Sequence, residues 1–245
     1  MALPVLETPT YELTLPSANV QVKFRPFVVK EEKILLQALE SGETKQIVQA
    51  LKDIVRECTF GQLDGSNMPT FDLEYVFLQI RAKSVGEIAK VNLLCPDDKK
   101  TYAPVEIDLT KVEVEVDDNH TNNIVIDKDR NLGVIMKYPS IDTVEPNNSI
   151  KGIRTEKLFE LIAACIHEVY DGKEVHSAKD YSKQEMTKFL ESLDRKSFDK
   201  MNAFFETMPQ LKHEVDIVNP KTKVTSKLVL KGAQDFFVLP SHMTA

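Results

Sequence analysis

A proline set between two hydrophobic periods constrains this chain more than any other feature. Phe198, Met201, Phe204, Phe205 and Met208 recur at helical spacing and line one apolar stripe. Ser197 stands where a hydroxyl can accept a first-turn amide and act as the N-cap, and Pro209 ends the helix. Beyond it, Val215, Ile217 and Val218, then Leu228, Val229 and Leu230, flank Asn219-Pro220-Lys221-Thr222-Lys223. That pattern predicts two strands joined by a turn. The stretch closes on Gly232 and the aromatic tail Phe236-Phe237-Val238-Leu239.

A looser copy of this unit lies earlier. Phe71-Asp72 matches Phe198-Asp199, and Phe77-Leu78 matches Phe204-Phe205. Val91, Leu93 and Leu94 then lead into Cys95-Pro96-Asp97-Asp98-Lys99-Lys100, and Val105, Ile107 and Leu109 form the return strand. The expected fold class is therefore α+β, with two pseudo-repeated halves, each a small helical cluster followed by an antiparallel β-ribbon or small sheet.

The halves are read in chain order. Residues 1–29 alternate in polarity around Pro4, Pro9, Pro16 and Pro26, with one clean run at Val20, Val22 and Phe24. This predicts an extended N-terminal arm with one edge strand, packed on its own body or on a neighbour. Residues 30–138 hold three helices and a β-rich region. The helices carry Ile34, Leu35, Ala38 and Leu39; Ile47, Leu51, Ile54, Val55 and Cys58; and Leu73, Val76, Phe77 and Ile80. In the β region Glu106, Asp108, Glu113, Glu115, Asp117 and Asp118 oppose the apolar positions, giving a wet sheet face or an acidic docking face. Residues 139–153, with Pro139, Pro146 and Gly152, read as a linker. Residues 154–245 begin with a helix through Leu158, Ile162, Cys165, Ile166 and Val169 that stops at Gly172. A second helix follows, with Ser182 and Glu185 as its capping box.

A chain of 245 residues buries about three-quarters of its unfolded surface, enough for one large or two modest domains. The net charge of −7 argues against sequence-independent nucleic-acid binding, which needs a concentrated basic surface. The scattered Cys58, Cys95 and Cys165 imply no disulfide framework and fit a reducing cytoplasm. No segment has the run of about 18 apolar residues that a membrane span requires.

Arg25-Pro26-Phe27-Val28-Val29-Lys30-Glu31-Glu32-Lys33, Phe77-Leu78-Gln79-Ile80-Arg81-Ala82-Lys83-Ser84-Val85-Gly86-Glu87, Phe204-Phe205-Glu206-Thr207-Met208-Pro209 and the closing Leu230 to Phe237 carry a resemblance that spans the chain. With these motifs the sequence resembles the baseplate hub subunit and hub-assembly proteins of T4-type contractile-tail bacteriophages. The resemblance implies a structural or assembly protein of the phage tail, not an enzyme. It further implies action by contact with other hub proteins and the tape-measure protein, within an oligomeric assembly. It would be found in the host cytoplasm during assembly and in the virion baseplate.

Read for chemistry, the residues predict no catalytic, cofactor-binding or metal site. Cys95-Pro96 resembles one knuckle of a zinc ribbon, but the second cysteine is missing and Asn219 occupies the echo. The five histidines are isolated, and His167 is expected near a helix C-terminus, where the dipole favours a cation. No glycine-rich phosphate loop and no nucleophile elbow occurs. The alternative is a hydrolase or transferase whose site is assembled from scattered residues. The partner-binding candidates are Arg25, Phe27, Arg81, Lys83, Phe236, Phe237 and Leu239. Arginine is enriched at interface hot spots, while the structural readings are that Arg25 pairs with an acid such as Glu31 and that Arg81 and Lys83 complement a helix end. The aromatic tail either packs back on the second half or enters a partner's groove.

Overall fold

The computed structural model describes residues 7–143 and 154–232. Strands β1 (Tyr11–Thr14) and β2 (Gln21–Phe24) precede helices α1 (Val29–Ser41), α2 (Thr44–Cys58) and α3 (Thr70–Val85). Strands β3 (Ile88–Leu94), β4 (Tyr102–Asp108), β5 (Glu113–Glu115), β6 (Asn123–Asp127) and β7 (Leu132–Met136) follow. The chain continues through α4 (Thr155–Cys165), β8 (Ile166–Asp171), β9 (Glu174–Ser177), α5 (Lys183–Glu191), α6 (Arg195–Thr207), β10 (Gln210–Val218) and β11 (Thr225–Lys231). This is an α+β fold of helices with small antiparallel sheets.

Contacts divide the chain into two units, one running to Glu115 and resuming at Gln210, the other from Val116 to Pro209. The expected linear boundary at 139–153 differs from this division, and the reason is the pairing of the last hairpin. β10 lies between β11 and β5, with Gln210 opposite Glu115 and Leu211 opposite Val114. Leu211, Val215 and Leu230 share one buried cluster with Leu78, Ala82, Ala89, Val91, Ile107, Leu109 and Val112. The second unit is therefore inserted between two neighbouring strands of the first.

In the first unit the arm is a hairpin, where one edge strand was expected. Leu13 lies opposite Val22, and Leu13, Leu15, Val22 and Phe24 are buried. The Ser17 N–H donates to Asp72 Oδ1 at 3.1 Å and its hydroxyl donates to Asp72 Oδ2, fastening the arm to α3. Pro16 does not interrupt the ladder, because it sits in the turn. Asn19 N–H donates to the Leu15 carbonyl and Leu15 N–H to the Val20 carbonyl, both at 2.9 Å, with Asn19 at φ 52°.

The same device recurs in the two echoing hairpins. Lys99 N–H donates to the Cys95 carbonyl at 3.0 Å and Lys223 N–H to the Asn219 carbonyl at 2.9 Å, with φ of 52° and 62°. In each turn a proline follows the first residue, its fixed φ setting the bend, and a left-handed residue closes it. Both echoing turns belong to the first unit and touch. Asn219 Nδ2 donates to Asp97 Oδ1 and Oδ2 at 2.9 and 3.0 Å, and Thr222 Oγ1 donates to Asp97 Oδ2 at 2.5 Å. Asn219 and then Thr222 hold the Asp97 carboxyl below the usual carboxylate range. Cys95, Ala103 and Ile217 form a small apolar cluster there.

In the second unit β6, β7, β8 and β9 form an antiparallel meander. Its core includes Ile124, Val134, Leu161, Ile162, Phe204 and Phe205. The expected helix to Gly172 is shorter: α4 stops at Cys165, and Ile166–Asp171 is a strand between β7 and β9. Val169 pairs with both Val134 and His176, so ladder bonds on two sides outweigh the helical spacing. Gly172 and Lys173 make the two-residue hairpin loop, Gly172 at φ 66°. α6 also begins earlier than expected, since Asp194, not Ser197, is its N-cap, accepting from the Ser197 N–H at 2.8 Å. The Ser182–Glu185 capping box is present, with Ser182 N–H donating to Glu185 Oε2 at 2.8 Å.

Candidate partner-binding surface

The two most specific motifs, near residues 25–33 and 77–87, meet in the first unit. Arg25 leaves β2, and its backbone N–H donates to the Cys58 carbonyl at 2.9 Å. Its guanidinium donates to the Pro26 carbonyl at 3.0 Å and to Glu31 Oε1 at 3.1 Å. Glu31 Oε2 accepts from the Val28 N–H at 2.9 Å and so closes the first turn of α1. Burial alone would push the Glu31 carboxyl up, but the Val28 amide and the Arg25 guanidinium outweigh it and hold the carboxyl below its usual range. Arg25 is thus engaged within its own unit, as the acid-pairing reading of the sequence has it.

Phe27 is buried, and its N–H donates to Ser84 Oγ at 2.8 Å, while the Ser84 hydroxyl donates to the Ile80 carbonyl at 2.7 Å. One serine in the last turns of α3 therefore holds the arm. Lys83 pairs with Glu87 at 2.5 Å, and its Nζ lies 5.3 Å from the centroid of the Tyr11 ring, so it too joins arm and helix. Arg81 differs from these. It is partly buried, its pKa is lowered by burial, and its side chain makes no hydrogen bond or ion pair among the described residues. Phe236, Phe237 and Leu239 lie outside the described residues.

Sequence reading missed the apolar rim of this junction. Val29 is 78% exposed, Val85 63% and Ile88 51%, with Val28 also exposed. The Phe27–Ser84 bond sets the stretch containing Val28 and Val29 beside the stretch that leads into Val85 and Ile88. The signal was present in the sequence as consecutive valines within a charged segment, but only the pairing of the two motifs gathers them. Exposed apolar residues gathered in one place mark interaction sites.

The acidic ribbon is less open than its composition suggests. Glu106 pairs with Lys90 at 3.1 Å, Asp108 with Lys111 at 3.2 Å and Glu115 with Lys212 at 3.3 Å.

Of the described histidines and cysteines, His120, His167 and the three cysteines have surroundings that bear on the sequence reading. His120 Nδ1 and Nε2 lie 3.0 Å from Thr207 Oγ1 and Tyr138 Oη, and its ring packs on Tyr138 and Phe204. Burial lowers its pKa. His167 lies on β8, not on a helix, so the dipole argument does not apply to it. All three cysteines are buried free thiols, and burial pushes Cys58 up to about 11 and Cys165 up to about 12. Such thiols stay protonated and make poor nucleophiles. No helix among the described residues is long and apolar enough to cross a membrane.

A family model described as T4 bacteriophage base plate protein matches residues 8–238. No curated protein and no solved structure gives a significant match. The match runs through both units and through both motifs that build the arm junction, and the chain accordingly belongs to the T4 bacteriophage base plate protein family.

Proposed function

We propose that this baseplate protein takes part in building the central hub of a contractile tail, acting by surface complementarity and without turnover. Its partners are other hub proteins of the same phage and the tape-measure protein. The observation that carries the reading is the arm junction. A family member whose signature motifs converge on exposed Val28, Val29, Val85 and Ile88, near the end of the helix that bears Arg81, whose side chain has no partner among the described residues, has an apolar rim and a cation to offer a partner. Arginine desolvated beside apolar surface is the composition of interface hot spots.

The test is light scattering of the full chain alone and coexpressed with the hub and other tail proteins of its own genome. The expected result is a stable complex with a hub protein, lost in a Val85→Glu/Ile88→Glu variant that keeps the native circular dichroism. A chain that stays monomeric beside every tail protein refutes the assembly reading. A complex only with baseplate proteins outside the hub refutes the hub assignment.

A further inference from the structure

The second unit contains a cleft of about 610 Å³ between α4 and α5. Its apolar part is made by Ala163, Ala164, Ile166, Ala178 and Met186. Three of these five are alanines, so the floor leaves room for a larger side chain from outside. Around it stand Lys137, Lys179, Lys183 and Lys188, with the exposed His167 beside them and Glu160 as the single acid. Four lysines against one glutamate reverse the sign of a chain whose net charge is −7. Among the described residues none of these four lysines forms an ion pair within 4.0 Å, in contrast to the lysines on the ribbon of the first unit.

We infer that this cleft binds an acidic peptide segment of a partner protein, one that carries a bulky apolar residue among its carboxylates. The apolar residue enters the alanine-lined floor, and the carboxylates meet the lysines. The volume lies in the range of sites that enclose a small ligand or a few side chains. A recessed apolar floor with a charged margin follows the division of labour seen in peptide recognition, where burial supplies affinity and charge supplies selection. A nucleic-acid backbone is the poorer match, because it has nothing to place against Ile166 and Met186 and the net acidic chain repels a long polyanion. The inference rests on the reading that the chain works by binding other proteins, and it adds a second surface, with its own chemistry, to the arm junction.

The experiment selects random short peptides from a display library against the immobilised full-length chain, without any other tail protein. Enriched sequences are expected to combine Asp and Glu with a Leu, Ile, Met or Phe. A synthetic peptide of the enriched sequence is expected to lose at least about tenfold in affinity when Lys179→Glu/Lys183→Glu is introduced. Both lysines are exposed, so the fold should tolerate the reversal. Ala164→Trp, at an exposed position in the apolar lining, tests the same site by filling it and should also abolish binding. No enrichment, enrichment of neutral or basic peptides, or binding indifferent to both variants overturns the proposal. Displacement of the peptide by millimolar inorganic phosphate or by oligothymidylate also overturns it, showing a general anion site. Because no hub protein is used, failure of hub coassembly and failure of this cleft are read separately.

Discussion

Replacing Leu211 by alanine should loosen the first unit and leave the second intact, although Leu211 follows directly on the helix and proline of the second. Leu211 is fully buried and lies in the cluster with Leu78, Ala89, Ile107 and Leu230. The substitution removes three carbons, worth about 2.4 kcal/mol of transfer at ~0.8 per methylene. The residual cavity raises the cost to about 3–4 kcal/mol. Hydrogen exchange followed by mass spectrometry reads this per segment, because protection reports the free energy of local opening. Peptides covering α3, β3 and β4 should exchange roughly 140- to 700-fold faster, at ~1.4 kcal/mol per tenfold. Those covering α4 and β8 should be unchanged. Phe205→Ala, whose side chain belongs to the core of the second unit, should give the reverse pattern. If Leu211→Ala accelerates exchange in α4 and β8 while β3 and β4 keep their protection, the hairpin belongs with the second unit and the division argued above is wrong.

Three further outcomes follow from single sites. Asn219→Ala removes the two donors to Asp97 and the acceptor for the Lys221 and Thr222 amides, at 2.8 and 3.2 Å. Urea titration should show a loss of about 2 kcal/mol, and an unchanged midpoint would mean that water replaces the tie at no cost. Burial holds His120 below its ordinary value of 6.5. The unfolded chain therefore takes up its proton first, so the contribution is complete above that pH and falls as the pH drops towards the folded pKa, with a slope below about 1.4 kcal/mol per pH unit. Melting of wild type and His120→Gln across this window should show the slope only in the wild type; equal slopes would exclude His120 as the cause. At Gly133 a Cβ would collide with the ring of Tyr170 and lie 2.8 Å from the Ile124 carbonyl oxygen. Gly133→Ala should expel that ring from its bond to Asn123 and cost about 1–3 kcal/mol, seen as a lower melting temperature with altered tyrosine fluorescence; a native spectrum at the native melting point would contradict the packing described.

Local signals were legible wherever one segment carries its own reason for its shape. The stripes of α1, α2 and α3, the Ser182 capping box and the alternation of β4 and β5 needed no partner to be recognised, because period and capping act within a few residues. The arm read as broken because proline removes a ladder donor. Its hairpin instead uses Pro16 in the bend, as Pro96 and Pro220 are used. Asp171-Gly172 is a comparable turn signal that competes with the helical spacing of Ile162, Cys165, Ile166 and Val169; the first two of these residues belong to α4 and the last two to β8. Of the candidate surface, Arg25, Phe27, Arg81 and Lys83 were legible as residues of the two motifs. The Arg25–Glu31 pair was legible as one of two readings, whereas the buried position of Phe27 against Ser84 and the lack of a side-chain partner for Arg81 among the described residues were not.

From the sequence alone came the α+β class, most element types and the family, because these rest on periodicity, turn chemistry and motif identity along the chain. Only the tertiary structure decided which unit owns the last hairpin, that the two echoing turns meet through Asp97, and that a chain of net charge −7 carries a lysine-rimmed cleft. Each of these depends on residues far apart in sequence whose association is set by the packing of Leu211 and its neighbours, or of α4 on α5, and no periodicity within a segment encodes it.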